Sequence, residues 1–388
     1  MQGGFGTPLW NLYASKSYNH AFRLGGSMQK FIVKGTHLDI GRMVGEEFRL
    51  QINTILEIFR TSVIPSFFPN RQTEDVLQEL ERNVNFVDNI SRNTPGLFEE
   101  IKGMSLAANA SLHELVMLNC LDEIMSYSNQ KRNSDKCTCL SIKRKDNNQV
   151  YVAQNLDLST YLNKYQVVLH LKHDENDTEQ LLFTTPGYLG YTGVNSKSVA
   201  VVPNSLTMLN CNPQGVPVTM LVRSILEKQS AGEAVEYVLK TVHGAAQNYT
   251  IGDSTGIYSL ECSGYKKEVL EVSGNQYMDF TVHTNHPLKN DDLWIDTGGN
   301  SPVASPENSL QRQKTAEKYM READSFFTDV ELKKILTSHD SEPNCICRHD
   351  NNGAMTLGSV VYKLTDGIEM HFAGGPGCIN RYEKYTFN

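Results

Sequence analysis

Hydrophobic positions in the first third of the chain recur at the helical interval. Met43, Phe48, Ile52, Ile55, Leu56 and Phe59 fall on one face of a helix predicted over Gly41–Arg60. A second helix carries Val76, Leu77, Leu80 and Val84 behind Thr73 as its cap, and Pro95 suits the first turn of a third, through Ile101 and Met104. Ser111 and Glu114 have the spacing of a capping box ahead of Leu115–Met125. A short strand, Met28–Val33, precedes these helices. The stretch Asn129–Lys136 is polar and turn-rich, and predicts an exposed connector.

From Cys137 onward the pattern becomes that of strands. Cys137–Lys143, Val150–Leu156, Gln166–Leu171, Leu181–Thr185 and Ser198–Val202 are separated by turn formers such as Asp146-Asn147-Asn148 and Pro186-Gly187. Helices follow over Pro217–Glu227 and from Ser230, with Glu233 at the capping-box position. Further strands lie around Tyr249, Tyr258, Val269 and Phe280. A helical region covers Pro306–Leu336, where Thr328 and Glu331 repeat the box, and a hairpin joins Ser359–Leu364 to Ile368–Phe372 across Thr365-Asp366-Gly367. Strands, then helices, then strands predict a mixed sheet system with helices packed outside.

Composition narrows the function. With 39% hydrophobic and 21% charged residues in 388, the chain can bury a substantial core, and its length allows two or three domains or one large layered one. The net charge is -8 with no run of Lys or Arg, so no nucleic-acid partner is expected. No apolar run approaches the ~20 residues of a membrane span, and Met1–Tyr18 has neither the basic nor the apolar part of a secretory signal. Eight cysteines are too few for a disulfide framework. The expected location is therefore cytoplasmic, and the sequons at Asn89, Asn109, Asn176 and Asn248 are read as chance matches.

Cys120, Cys211 and Cys262 lie in apolar segments and read as structural, whereas Cys137 follows the polar connector and opens a strand. The pairs Cys137/Cys139 and Cys345/Cys347, with His349 near the second, invite a zinc site. Their spacing lacks the two-residue gap usual between ligands, and strand alternation is taken to turn neighbouring thiols to opposite faces. No metal and no cofactor is expected. No histidine has a local signature as base for a cysteine nucleophile.

Several segments, in order, resemble one family. Lys34–Gly41 looks like the opening of the acyl-CoA:6-aminopenicillanate acyltransferase family, and Glu99–Gly103 followed by Val116–Asn119 is similar to the stretch before that family's processing site. Cys137-Thr138 matches the start of its mature catalytic chain, and Gln154-Asn155-Leu156-Asp157 resembles its following Asn-x-Asp. Gly193-Val194-Asn195, Pro203–Leu206, Leu260–Ser263 and His283–His286 continue the likeness, which runs from about residue 30 to the C-terminus.

The resemblance implies an α+β, four-layer αββα sandwich of the N-terminal-nucleophile type with a largely helical N-terminal segment. It implies self-cleavage between Lys136 and Cys137, giving residues 1–136 and 137–388 as subunits of one structural unit that remain together as a heterodimer. Cys137 would then supply a thiol of pKa ~8.5 and an α-amine of pKa ~7.7–8.0, a nucleophile and a base in one residue. Matched residue by residue, Asp157 holds the amine or a substrate group, Asn285 donates to the oxyanion, and Ser263 serves processing or activity. Two departures stand out. Lys136 occupies a place where the family usually has Gly, and a side chain there restricts the strained backbone that cleavage exploits. Asn351–Leu357 also lacks the arginine that the penicillin-forming member carries. The expected activity is hydrolysis of a small linear amide, an N-acyl amine or amino acid, N-β-alanyl amines among them. The alternatives are acyl transfer from a thioester such as acyl-CoA to an amine, and an uncleaved, non-catalytic binding protein.

Overall fold

The computed structural model describes residues 28, 30–128, 137–294, 306–350 and 353–388. The predicted connector and Lys136 lie outside the described residues. Among the described residues the N-terminal part contributes one strand, β1 (Lys30–Gly35), a π-helical turn over Phe59–Val63, and eight α-helices: α1 (His37–Glu47), α2 (Arg49–Ile58), α3 (Ile64–Phe67), α4 (Thr73–Val84), α5 (Phe86–Asn93), α6 (Pro95–Ala108), α7 (Leu112–Asn119) and α8 (Leu121–Tyr127). The first six strands beyond Cys137 are β2 (Thr138–Arg144), β3 (Val150–Ser159), β4 (Val167–His173), β5 (Glu179–Thr184), β6 (Thr192–Asn195) and β7 (Ala200–Ser205). Helices α9 (Val218–Ile225) and α10 (Ala231–Lys240) precede β8 (Gln247–Gly252), β9 (Ile257–Cys262), β10 (Lys267–Val269), β11 (Ser273–Gly274) and β12 (Met278–His283). Then come α11 (Glu307–Arg321), α12 (Asp329–Leu336), β13 (Ala354–Lys363), β14 (Glu369–Ala373) and β15 (Glu383–Tyr385).

These strands form two sheets, β1-β4-β5-β6-β7-β8-β9-β10 and β11-β12-β2-β3-β13-β14-β15. The sheets face each other through β2 and β3 against β7 and β8. Helices α1, α9 and α10 cover the outside of the first, and α11 and α12 cover the outside of the second. This is the four-layer αββα arrangement, with the helical N-terminal segment added to the first face. Leu140, Ile142, Tyr151 and Ala153 point outward to Ala316, Met320, Leu332 and Ile335. Cys139, Val150 and Val152 point inward, into the larger core between the sheets. Cys137 and Cys139 belong to that same inner cluster. The expected division of this pair between faces is therefore corrected: residues two apart on a strand share a face.

Local departures have simple causes. The single helix predicted over Gly41–Arg60 is two helices broken at Phe48, and the first begins earlier because Thr36 and Asp39 form a reciprocal capping box. Met43, expected on the buried face, is 41% exposed. Thr73 is the first helical residue rather than the cap, and its hydroxyl donates to the Arg60 carbonyl at 2.9 Å. Helices α1 and α6 cross at backbone contact. A Cβ on Gly41 would lie 1.9 Å from the Glu100 carbonyl oxygen, and one on Gly103 would lie 2.3 Å from that of Leu38.

One buried ion pair joins the helical segment to the sandwich. Arg223 on α9 is fully buried and grips Glu100 of α6 with two bonds of 2.7 and 2.9 Å, while its Nε donates to Gln180 Oε1 at 2.9 Å. Burial alone would raise the Glu100 carboxyl, but the guanidinium and a hydrogen bond with His37 bring it down to about 2. Because the folded value is depressed, the stability this carboxylate contributes is present above its ordinary value and lost as pH falls toward 2. Glu100→Gln leaves Arg223 buried without its counter-ion and should destabilise the fold by about 3–5 kcal/mol. Denaturant titrations should show this deficit at neutral pH and a closing gap between variant and parent as pH drops below 4.5 toward about 2. A gap independent of pH would show that the pair does not act through charge.

Candidate active site

The antiparallel register of β12 on β2 pairs His283 with Cys139. Two residues after His283 and two before Cys139, Asn285 comes opposite Cys137. Cys137 is only 3% exposed. Its backbone N–H donates to Asn285 Oδ1 at 2.7 Å. The same oxygen accepts from Arg312 Nη2 at 2.9 Å, so two donors fix which end of the amide points at Cys137. Asn285 Nδ2 donates to the Ser205 carbonyl at 3.0 Å, and its backbone N–H to Ser309 Oγ at 2.7 Å. One N–H of the amide is thus committed to Ser205, which leaves the second as the donor an oxyanion could use.

Arg312, on α11, completes the frame. Its Nη1 donates to the Cys137 carbonyl and to Thr138 Oγ1, the latter at 3.0 Å, and its Nε donates to Asn308 Oδ1 at 2.9 Å. The side chain is wholly buried. Burial pulls the guanidinium down to about 10, opposed by the charges of Asp157 and Cys137, so it stays cationic at neutral pH. Sequence reasoning missed this residue. Its signal was a polar side chain at a helical position (Ser309, Arg312, Gln313, Ala316, Met320) whose spacing demands burial.

Asp157 sits on β3 and is 1% exposed. Thr356 Oγ1 donates to its Oδ1 at 2.7 Å, and Arg348 Nη1 lies 3.9 Å from its Oδ2. The Thr356 hydroxyl also accepts the Arg348 backbone N–H at 3.0 Å, so one threonine bridges the two. Asn351 and Asn352, where the family arginine was sought, lie outside the described residues. A different arginine, Arg348, reaches the carboxylate from the loop before β13. Cys139 is fully buried beside Cys137's strand end, its Sγ 3.5 Å from Gln154 Nε2 and 3.7 Å from the Pro203 carbonyl, and burial pushes its thiol up. Ser263 is placed differently. Its hydroxyl donates to Asp292 and accepts from the backbone N–H groups of Tyr265 and Lys266 at 3.1 and 2.8 Å. None of these partners is among those given above for Cys137, Asp157 or Asn285.

The chain's sequence matches the family model described as acyl-coenzyme A:6-aminopenicillanic acid acyl-transferase over residues 143–375. It is similar to the acyl-coenzyme A:6-aminopenicillanic-acid-acyltransferase 40 kDa form of Emericella nidulans, with 27% identity over 336 residues, 85% of this chain and 87% of the relative. Among solved structures, a variant of conjugated bile acid hydrolase from Clostridium perfringens aligns at a TM-score of 0.42 and 14% identity, covering 65% of this chain and 97% of that one. Penicillin V acylase from Agrobacterium tumefaciens aligns at 0.38 and 14%, covering 61% and 83%. These two likenesses are too loose to argue from.

The frame around Cys137 predicts a sharp penalty for changing Arg312. In Arg312→Lys a point ammonium replaces a guanidinium that holds four oxygens at once. A charge-assisted bond lost is about 1.5–3 kcal/mol, so catalytic rate should fall on the order of 10- to 100-fold while circular dichroism stays unchanged. A rate equal to the parent's would separate Arg312 from the chemistry.

Proposed function

The chain belongs to the acyl-coenzyme A:6-aminopenicillanic acid acyl-transferase family, and from that premise we propose that it takes the acyl group of a small linear amide onto Cys137 and passes it to water. The observation that carries this is the Cys137 nitrogen, held at 2.7 Å by the side-chain oxygen of the half-buried Asn285. Cleavage before Cys137 turns that nitrogen into an α-amine, and Asn285 Oδ1 then keeps it beside its own thiol. The amine takes the thiol proton, and Sγ attacks the substrate carbonyl. The second N–H of Asn285 donates to the oxyanion, and the buried Arg312 cation favours the negative charge that develops. As the C–N bond breaks, the leaving amine takes the proton and a thioester remains on Cys137. Water, giving its proton to the α-amine, attacks the thioester and releases the acid. Asp157, held by Thr356 with Arg348 nearby, orients the amine or a polar group of the substrate.

The acylated partner is a small N-acyl amine or amino acid. The two fragments, 1–136 and 137–388, stay associated. No helix among the described residues is long and apolar enough to cross a membrane. Cytoplasmic placement rests on the sequence features alone.

Purified enzyme should separate on a denaturing gel into fragments 1–136 and 137–388, the larger beginning Cys-Thr-Cys-Leu-Ser. Cys137→Ala should block both cleavage and turnover. Cys139→Ala, which removes a buried thiol held up by desolvation, should process normally. Active enzyme that persists as one chain would sink the processing claim.

A second reading has an observation of its own: the Emericella relative carries the name of an acyltransferase. Hydrolysis and transfer share the acyl-enzyme and differ in what reaches it. N-β-alanyl amines or similar N-acyl compounds should release free amine with no added acceptor, and raising a second amine should divert only part of the acyl group. Near-complete, saturable transfer from acyl-CoA to one amine, with slow loss of acyl-CoA alone, would make the enzyme a transferase.

A further inference from the structure

Four soft donors meet away from Cys137, at the seam between the loop before β13 and the turn after β14. His339 follows α12, Cys347 and His349 flank Arg348, and Cys378 lies in the turn beyond β14. The sulfur atoms of Cys347 and Cys378 are 3.4 Å apart. Cys378 Sγ lies 3.3 Å from His349 Nε2 and 3.7 Å from His339 Nε2, and the two Nε2 atoms are 3.1 Å apart. All four donor atoms fall within 4.8 Å of one another.

Hydrogen bonds can join these atoms two at a time, one Nε2–H donating to the other Nε2 and one thiol to its neighbour. Four soft donors facing one point is also the arrangement that a single ion requires. A dication bound among them would stabilise both sulfurs as thiolates together. The geometry fits such an ion. With metal–sulfur bonds of ~2.3 Å and metal–nitrogen bonds of ~2.0–2.1 Å, a tetrahedron has edges of about 3.8 Å between sulfurs, about 3.4 Å between nitrogens and about 3.5 Å between unlike atoms. Four of the six edges lie within about 0.4 Å of these values, and the other two, from Cys347 to the histidines, are no longer than 4.8 Å.

We propose that His339, Cys347, His349 and Cys378 form a closed tetrahedral site for a zinc-class divalent cation, clamping the C-terminal turn to the loop that carries Arg348. Two thiols release their protons to solvent on binding, and two thiolates with two neutral imidazoles leave the bound site uncharged. Two sulfurs and two nitrogens in a tetrahedron select zinc over calcium or magnesium, and four protein ligands leave no position for a reactive water. The role is therefore structural. The absence of a metal expected from ligand spacing is revised by this assignment. Only one cysteine of the Cys345/Cys347 pair takes part, the Cys345 thiol being turned to the Cys347 carbonyl at 2.9 Å. The remaining ligands come from His339 and Cys378, too distant in sequence to form a local motif. Arg348 stands between two ligands, so the clamp also fixes the residue nearest Asp157 on that loop.

The full chain, expressed and purified under reducing conditions without chelator, should contain about one zinc per molecule by elemental analysis. Replacing zinc with Co(II) should give the visible bands of tetrahedral cobalt with thiolate charge transfer. Cys378→Ser should lose both signals. His339→Ala, at an exposed position, provides the same test if Cys378→Ser misfolds. Chelation should raise amide exchange in residues 345–349 and 376–380 while β2 and β3 stay protected, and should leave exchange in Cys378→Ser unchanged. Cys137→Ala should bind metal in full, which keeps this test independent of catalysis. Folded, reduced protein with neither zinc nor a cobalt spectrum would overturn the site. So would an intact mass showing a Cys347–Cys378 disulfide, or metal whose removal leaves the exchange of both segments unchanged.

Discussion

The end of the sandwich that carries Cys137 depends on the buried guanidinium of Arg312. It binds the backbone oxygen of Cys137, the hydroxyl of Thr138 and the amide oxygen of Asn285, and so ties the start of β2 to the segment after β12 from the outer helix layer. A fully buried cation is costly unless its donors are met and its charge is opposed. Both conditions hold here. Asn308 takes the Nε donor, and the charges of Asp157 and Cys137 work against the desolvation that lowers the group. The influence is reciprocal: what favours the cation is negative charge at Asp157 and Cys137, so the cation favours those charges in return. The frame that holds Cys137 is thus also a source of positive potential beside it.

Register supplies the rest of the geometry. The pairing of β12 on β2 carries Asn285 to the level of Cys137. On the other side, β3 brings Asp157 two residues beyond Asn155, the partner of Thr138. Thr356 pairs with Asp157 immediately before the irregularity between Thr356 and Gly358, and its hydroxyl turns to the carboxylate. A bulge re-aims side chains at the end of a ladder. Here it lies beside the strand end from which Arg348 is reached. The site is therefore assembled at one end of three neighbouring strands, β12, β2 and β3, with one helix and one loop closing over it.

This explains what the sequence could disclose. Cys137, Asp157 and Asn285 sit at strand ends whose local motifs are continuous in the chain, and the structure gathers them through strand pairing. The helices of the N-terminal segment were also legible, because Val76, Leu77, Leu80 and Val84 recur at a helical period and are all buried. Arg312 and Arg348 were not, since neither has a neighbour in sequence that states its partner. Arg312 acts from a helix after a long connection, and Arg348 acts from a loop. The likeness at Ser263 marked a turn whose hydroxyl is engaged by Asp292 and Lys266. Cys139 shows a different failure. Its face follows from counting two residues along a strand, and the misplacement lay in the count.

The cleavage proposed before Cys137 would have to free an amine without freeing the fragment that precedes it, and the packing between the two parts is of a kind that would allow this. Strand β1 lies at the edge of the first sheet, pairing in parallel with β4 along its whole length. Asn119 is locked between the Gly187 carbonyl, which its Nδ2 reaches at 2.8 Å, and the Leu189 N–H, which its Oδ1 accepts at 2.8 Å. Asn89 donates to the Gln214 carbonyl at 2.8 Å. With the Glu100–Arg223 pair, these contacts place backbone ladder, neutral hydrogen bonds and charge across the seam between residues 30–128 and the strands beyond 137. The two parts also share one continuous core cluster, which contains Ile40, Ile101 and Leu118 alongside Leu171, Val201 and Leu221. The proposed cut, before Cys137, breaks none of these hydrogen bonds, ion pairs or strand pairings. Severing one peptide bond there removes chain connectivity but leaves the buried surface in place, so the new amine can form at Asn285 while the surrounding fold keeps its shape.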